Sequence, residues 1–334
     1  MRALVFGQYG DPGERLRLVE LPRPAPAPGQ VRVKLVARPV NPSDLLYVRG
    51  EYGRPARFSP LPGCAGQHAS PAGFEGAGVI DAVGAGVTGP RTGTRVAVSA
   101  LGTWQEYVCA PADSVVAVPA GVPLDVAAQM TVNPFTAHLL LRAAGVGPAD
   151  TVVLTAGASA VSRMIGWLAR RGGIRCVCVV RRESQLPLVR ALGAEPVLLR
   201  PGRSLADDLG AALPEGGADA VLDAVGGPEG GALVRSLRPG GRLLLYGLLS
   251  GRPLHIPPAD LVFRDVSVEG FWLPTSLERL DDTEAGRLTD QVRRDVCGGM
   301  PGMEVGSSHD LSAYAAALAD VARPGRTEKV LLRS

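Results

Sequence analysis

Between residues 151 and 271, six short apolar runs recur every 22 to 25 residues: TVVLTA (151–156), IRCVCVV (174–180), PVLL (196–199), ADAVLDAV (218–225), GRLLLYG (241–247) and VSVEGF (266–271). Runs of this kind are strands buried on both faces. The stretches between them carry the helical period. After Ser159, for instance, Val161, Ile165, Leu168 and Ala169 fall on one face. Further helices are expected up to Leu192–Ala194 and over 204–213. Apolar strands alternating with helices form a parallel, doubly wound α/β sheet, here of six strands and spanning 121–270.

Residues 1–120 have a different texture. Short candidate strands at 2–6, 16–21, 30–37, 76–83, 94–99, 104–109 and 114–118 are punctuated by Gly and Pro, the pattern of a compact β-barrel-type domain. The segment Arg54–Gly73 is rich in Pro, Gly and small residues and has no period, so a lid or entrance loop is expected there. The end of the chain shows helices near 284–296 and 311–322 and a last strand, EKVLLR (328–333). It is too short for a domain of its own and is expected to return to the first. A chain of 334 residues exceeds what one core usually serves. The expected division is 1–120 with 271–334 as one discontinuous domain and 121–270 as the other.

A net charge of +3 without a basic block requires no nucleic-acid partner. No run of 18 uncharged apolar residues suggests a membrane helix. The start, MRALVFGQYG, lacks the signature of a signal or transit segment, and the five cysteines are scattered, so a reducing cytoplasm is expected. The four histidines (His68, His138, His255, His309) are isolated in sequence, and each reads as a surface or loop residue. Two scarcities remain: 3 Trp, 6 Tyr and 6 Phe are the only aromatics, and Lys34 and Lys329 are the only lysines. Codon bias toward Arg, Ala, Gly and Pro accounts for those totals.

After the first buried strand, Gly157-Ala158-Ser159-Ala160-Val161-Ser162 supplies small residues at the start of a helix. There the backbone can approach a pyrophosphate and free N–H groups favour an anion. The strict G-x-G-x-x-G spacing is missing, and a plain tight turn reads equally well. The second strand ends in Val180-Arg181-Arg182 rather than in an acid. Two guanidiniums there suit a 2′-phosphate and point to NADPH over NADH. The alternative is a pair of solvated surface arginines.

Taken in order, further segments resemble the zinc-free medium-chain dehydrogenase/reductase family, and within it the mitochondrial-type 2-enoyl thioester reductases and their quinone oxidoreductase-like relatives. They are Asn41-Pro42-Ser43-Asp44, Gly50-Glu51-Tyr52-Gly53, Gly73-Phe74-Glu75-Gly76-Ala77-Gly78, Gly102-Thr103-Trp104, Asn133-Pro134-Phe135-Thr136-Ala137, Asp223-Ala224-Val225-Gly226-Gly227, Tyr246-Gly247, Gly270-Phe271-Trp272-Leu273 and Lys329. The resemblance implies a GroES-like substrate domain built from both chain ends around a Rossmann domain, and a homodimer. It implies cofactor contacts at Asn133, at Ala158, Ser159, Ala160 and Val161, at Arg181, Arg182 and Glu183, at Tyr246, Gly247, Leu248 and Leu249, at Phe271, Trp272 and Leu273, and at Lys329. Tyr52 matches the family's proton donor, and a loop tyrosine that only packs its ring is the alternative. Trp272 would wall the nicotinamide side; plain core packing is the alternative. Two departures stand out: Ser162 lies where the family usually has Gly, and the Arg54–Gly73 segment is longer than in the animal enzymes.

Zinc-dependent relatives carry Cys at the place of Asn41 and His at the place of Phe74. Phe cannot ligate and Asn ligates poorly, so no metal is expected. Without a Lewis acid to polarise a carbonyl, alcohol oxidation is not expected. The resemblance instead implies NADPH-dependent reduction of a conjugated C=C bond, in which hydride adds to the β-carbon of an enoyl thioester and Tyr52 supplies the proton. A quinone or enone reductase is the second reading. A non-catalytic protein that keeps NADPH as a regulatory ligand is the third, and it rests on Ser162.

Overall fold

The computed structural model describes residues 1–62, 66–200, 202–203 and 205–334. Contacts divide it into two units, Met1–Val132 with Gln291–Gly299 and Met303–Ser334, and Asn133–Asp290 with Met300–Gly302.

The first unit opens with β1 (Arg2–Phe6), α1 (Pro12–Arg15), β2 (Leu16–Glu20), β3 (Gln30–Pro39), α2 (Pro42–Arg49), β4 (Ser59–Pro60) and β5 (His68–Pro71). It continues with β6 (Glu75–Val83), β7 (Arg95–Ser99), β8 (Tyr107–Pro111), β9 (Val116–Ala117) and α3 (Leu124–Ala127). The period of two is clearest in β3, where Val31, Val33, Leu35 and Ala37 all face inward and are buried. Val31, Val33 and Leu35 pack with Ile80, Val96, Val98 and Val108 in one core. A second core gathers Leu4, Phe6, Leu16, Val40, Tyr47 and Trp104.

The expected loop at 54–73 contains packed structure. β5 pairs with β1 (Val5↔Pro71, Phe6↔Ser70) and with β4, so this segment joins a four-stranded sheet ordered β2-β1-β5-β4. Alternation is invisible in strands of two and four residues, and that hid them. Gly63–Ala65, including Cys64, lie outside the described residues. The strand expected at 104–109 begins only at Tyr107. Trp104 is spent otherwise: its ring is buried, its backbone bonds Ala72 and Leu4, and its Nε1 donates to the Pro39 carbonyl at 3.2 Å.

The second unit begins with α4 (Asn133–Ala144) and runs through β10 (Thr151–Leu154), α5 (Ala160–Arg171), β11 (Arg175–Val180), α6 (Leu186–Ala191), β12 (Glu195–Leu198) and α7 (Leu205–Gly210). Then come β13 (Ala218–Asp223), α8 (Gly227–Ala232), β14 (Leu237–Leu245), α9 (Pro258–Val262), β15 (Ser267–Gly270) and α10 (Leu273–Glu278). Its six strands are all parallel, in the order β12-β11-β10-β13-β14-β15. This is the doubly wound α/β sheet expected from the sequence. Val153, Val177, Val221 and Leu243 form its dry interior. Helix α4 was not legible in the sequence, because apolar residues on most of its faces leave no period. Ser204, the start of the expected 204–213 helix, lies outside the described residues; α7 ends earlier, at Gly210.

The chain then continues with α11 (Asp282–Cys297), β16 (Val305–Asp310), α12 (Tyr314–Ala322) and β17 (Lys329–Arg333). β17 pairs antiparallel with β3 and parallel with β16, so the chain end completes the sheet of the first unit. The units divide later than the change of texture at 120 and 270. Helix α3 packs on β3, β6 and β7, which keeps residues 121–132 in the first unit, and α10 packs on α4, which keeps 271–290 in the second.

Candidate dinucleotide site and active site

The turn between β10 and α5 is built around close approaches. Ala156 adopts a left-handed conformation (φ 46°), unusual without glycine. A Cβ at Gly157 would lie 2.6 Å from the Cys178 Cβ, so only glycine lets the turn rest on β11. Ser159 caps α5, its hydroxyl accepting from the Ser162 N–H at 3.3 Å. Ala158 is buried, while Ser159, Ala160 and Val161 are half-buried at the helix start.

Ser162 is fully buried and its hydroxyl is turned inward. It donates to the Thr155 carbonyl at 3.0 Å and lies 3.1 Å from Ser159 Oγ and 3.4 Å from Tyr246 Oη. Burial pushes the Tyr246 hydroxyl up to about 12, so it stays protonated. Tyr246 follows β14 directly, and its N–H bonds the Asp223 carbonyl at 2.9 Å. A Cβ at Gly247 would sit 2.4 Å from the Ala224 carbonyl oxygen, so this position too demands glycine.

Two residues that sequence reasoning did not assign tie these strand ends together. Thr155 Oγ1 donates to Asp223 Oδ1 at 2.7 Å and accepts from the Ala224 N–H at 2.8 Å. The Asp223 carboxylate accepts from the Val225 and Gly226 N–H groups at 2.9 and 3.0 Å. Both residues are buried. A short polar residue ending each of two adjacent buried runs was the available signal. This knot stops β13 and fixes the carboxyl ends of β10 and β13, where open parallel sheets bind ligands.

Three further groups of expected positions follow the carboxyl ends of strands of this sheet. Arg181, Arg182 and Glu183 are exposed just beyond β11. Leu248 and Leu249 are exposed beyond β14, apolar side chains left facing solvent. Phe271 extends the ladder by donating its N–H to the Leu245 carbonyl at 2.8 Å, and Trp272 and Leu273 open α10. Asn133 is buried as the first residue of α4.

In the first unit, Tyr52 follows α2 and is half-buried. Its ring lies 5.0 Å from Phe74 and 6.4 Å from Tyr47, and Tyr47 in turn packs on Phe74 at 5.2 Å. Phe6, Tyr9 and Phe58 continue the chain of rings. Five of the scarce aromatics are therefore joined in one chain of rings with the tyrosine singled out as a proton donor.

Glu75 follows Phe74 and belongs to a buried polar cluster. Its Oε1 accepts from Asn41 Nδ2 at 2.8 Å. Its Oε2 accepts from the Thr131 N–H at 3.2 Å, the Thr131 hydroxyl at 3.1 Å and the Val132 N–H at 3.1 Å. Asn41 Oδ1 accepts from Lys329 Nζ at 2.7 Å, and the Asn41 N–H donates to Asp44 Oδ2 at 2.7 Å. Burial pushes Asp44 up to about 8 and raises Glu75, and it lowers Lys329 to about 8. Glu75 and Asp44 were quoted as parts of motifs but not as site residues. A lone acid inside an apolar Gly-Ala strand was the available signal.

Residues 160–285 match the family model described as zinc-binding dehydrogenase, and residues 27–120 the alcohol dehydrogenase GroES-like domain. Zinc does not fit the residues present. The Asn41 oxygen is already committed to an ammonium, Phe74 has no donor atom, and no His, Cys, Asp or Glu cluster suited to a metal occurs among the described residues. The bovine mitochondrial enoyl-[acyl-carrier-protein] reductase is 33% identical over 286 residues, covering 82% of this chain and 72% of that protein. A Bacillus thuringiensis structure, provisionally named an NADPH:quinone reductase, superimposes with a TM-score of 0.90 at 29% identity, covering 100% of this chain and 98% of the other. A mycobacterial protein solved with NADPH gives a TM-score of 0.86 at 28% identity, each chain covered fully at 100%. The chain thus belongs to the medium-chain dehydrogenase/reductase family, in the zinc-free branch that contains the 2-enoyl thioester reductases and quinone oxidoreductases.

Proposed function

We propose that this protein is an NADPH-dependent reductase of conjugated C=C bonds, with 2-enoyl thioesters as its substrates. The observation that carries this reading is the ring of Tyr52 packed against Phe74, at the place where zinc relatives keep a histidine. NADPH, when bound, supplies the hydride for the β-carbon of the acceptor. As that carbon is reduced, negative charge develops on the thioester carbonyl and the α-carbon becomes basic. Tyr52 then donates its phenolic proton to the α-carbon. A neutral phenol can hydrogen-bond a developing enolate without being ionised at neutral pH, and the rings of Phe74 and Tyr47 pack against it.

For the cofactor, the turn at Ala158–Val161 receives the pyrophosphate on the α5 N-terminus, and Arg181 and Arg182 with Glu183 receive the adenosine end. Tyr246–Leu249, Phe271–Leu273 and Asn133 serve the nicotinamide side. Lys329 supplies a cation for an anionic group of the cofactor. The Thr155–Asp223 knot keeps the strand ends in place for this task.

Quinone or enone reduction is the second reading, favoured by the name of the B. thuringiensis neighbour. A purely regulatory NADPH-binding role has lost its support: Ser162 is satisfied inside the turn rather than projecting from it. NADPH oxidation measured against crotonyl-CoA, longer enoyl-CoAs, enones and quinones separates these readings. Turnover on enoyl thioesters supports the first, turnover on quinones alone the second, and tight NADPH binding with no turnover the third.

The protein is further proposed to form a homodimer. β15 is an edge strand of the six-stranded sheet, and Val262 and Phe263, 71% and 83% exposed, lie at the end of α9, three residues before it. Sedimentation at twice the monomer mass supports this; a monomer at micromolar concentration refutes it. A reducing compartment, proposed as the cytoplasm, agrees with the four described cysteines being free, Cys176 and Cys178 included although their sulfurs are 3.7 Å apart. The enoyl reductase relatives are named as mitochondrial, and a reducing matrix satisfies the same chemistry. No helix among the described residues is long and apolar enough to cross a membrane.

A further inference from the structure

Lys329 opens β17 and is buried, and its ammonium bonds a neutral amide rather than a carboxylate. Its ammonium donates to Asn41 Oδ1 at 2.7 Å, and the carboxylate of Glu75 is reached only through the other end of that carboxamide, at 2.8 Å. The carboxamide cannot turn freely. Asn41 is itself buried, its backbone N–H is fixed by Asp44, and the adjoining Val40 N–H bonds the Val330 carbonyl of β17 at 3.0 Å. Glu75 is held in turn by three donors from Thr131 and Val132.

A buried ammonium is costly, and evolution usually either pairs it with an acid or removes it. Here one of its three N–H groups donates to a neutral acceptor, which leaves its charge in place. A direct Lys–Glu pair would hold the amine equally well but would cancel the field an incoming anion needs. Interposing an amide, with the acid one step further back, orients the ammonium, stabilises it at a distance and keeps it attractive to a phosphate.

We infer that Asn41 and Glu75 are positioning residues, a relay that holds the Lys329 ammonium as a fixed cation, bonded to an amide rather than paired directly with a carboxylate, for a phosphate of the dinucleotide. This rests on the reading of Lys329 as a cofactor contact. Neither residue touches the reacting atoms. Asn41 occupies the position where zinc relatives keep a Cys, and Glu75 follows Phe74, which stands at the position where they keep the ligand His.

The test is NADPH affinity, by fluorescence titration at low and high salt, for the full-length wild type, Lys329→Met, Asn41→Ala, Glu75→Gln and the Lys329→Met/Asn41→Ala double variant. Melting curves verify that each variant is folded. Lys329→Met and Asn41→Ala each weaken NADPH about tenfold, the size expected for one hydrogen bond to a charged group, and flatten the salt dependence. The double variant is no weaker than Lys329→Met alone, because Asn41 acts only through the amine. Glu75→Gln sets an amide NH2 against either Asn41 Nδ2 or the Thr131 and Val132 donors, so it breaks one link of the relay and raises KM for NADPH while kcat at saturating cofactor stays unchanged; it decides the matter if Asn41→Ala does not fold. A loss in Lys329→Met with wild-type affinity in Asn41→Ala and Glu75→Gln overturns the relay, as do additive losses in the double variant. Wild-type affinity in Lys329→Met overturns both the relay and the underlying contact.

Discussion

The ring of Tyr52 lies 5.0 Å from that of Phe74, tilted by 36°, so the residue standing in for a zinc-ligating histidine becomes the support of the proposed proton donor. Loss of that support should be costly twice over. Phe74→Ala should destabilise the protein by about 2–3 kcal/mol, toward the low end for Phe→Ala because the ring is only half-buried. It should also lower enoyl turnover by loosening Tyr52. Urea unfolding and steady-state rates measured side by side check both effects, and unchanged rates would detach Phe74 from the chemistry.

Arg181 and Arg182 stand exposed at the end of β11, without an acid at the strand end. Replacing both with Ala should weaken NADPH on the order of tenfold to a hundredfold and leave NADH nearly unchanged, since only the former offers a 2′-phosphate. Equal affinity of the wild type for the two cofactors would remove the arginines from the site.

Ser162 satisfies the Thr155 carbonyl from within the turn. Ser162→Gly should therefore cost about 1–2 kcal/mol of stability, from the lost hydrogen bond and the freer backbone. NADPH affinity should change by less than about threefold, because the hydroxyl faces Thr155 and Tyr246. Thermal melts and fluorescence titration read the two quantities; a large loss of affinity with intact stability would reverse this assignment.

Lys329 carries a pH signature. Burial lowers its amine to about 8, Glu75 and Asp44 act to raise it, and Arg326 lowers it further. The ammonium is present below that value and is lost as pH rises through it, so NADPH affinity should fall above about pH 8. In Lys329→Met that decline should vanish. An equal decline in both proteins would assign it to another group.

The sequence carried the architecture wherever burial left a pattern. The six apolar runs of the second unit became six parallel strands, because strands covered on both faces cannot hide their composition. It concealed elements with no pattern to show: β4 and β5, too short to alternate, and α4, apolar on most sides. The candidate site divides in the same way. Ser159, Tyr246 and Gly247 were legible as motif positions, and close backbone approach and the knot around Asp223 explain why those residues are needed. The partnership of Lys329 with Asn41 and Glu75 was not legible, because it joins positions 288 and 34 residues apart through β17 and β6.

The most direct test of the proposed chemistry compares wild type and Tyr52→Phe in NADPH oxidation with crotonyl-CoA, alongside NADPH titration of each. Loss of a positioned proton donor should lower turnover about 100- to 10,000-fold while NADPH affinity stays within error of wild type. Full turnover in Tyr52→Phe would contradict the assignment of Tyr52 as the proton donor.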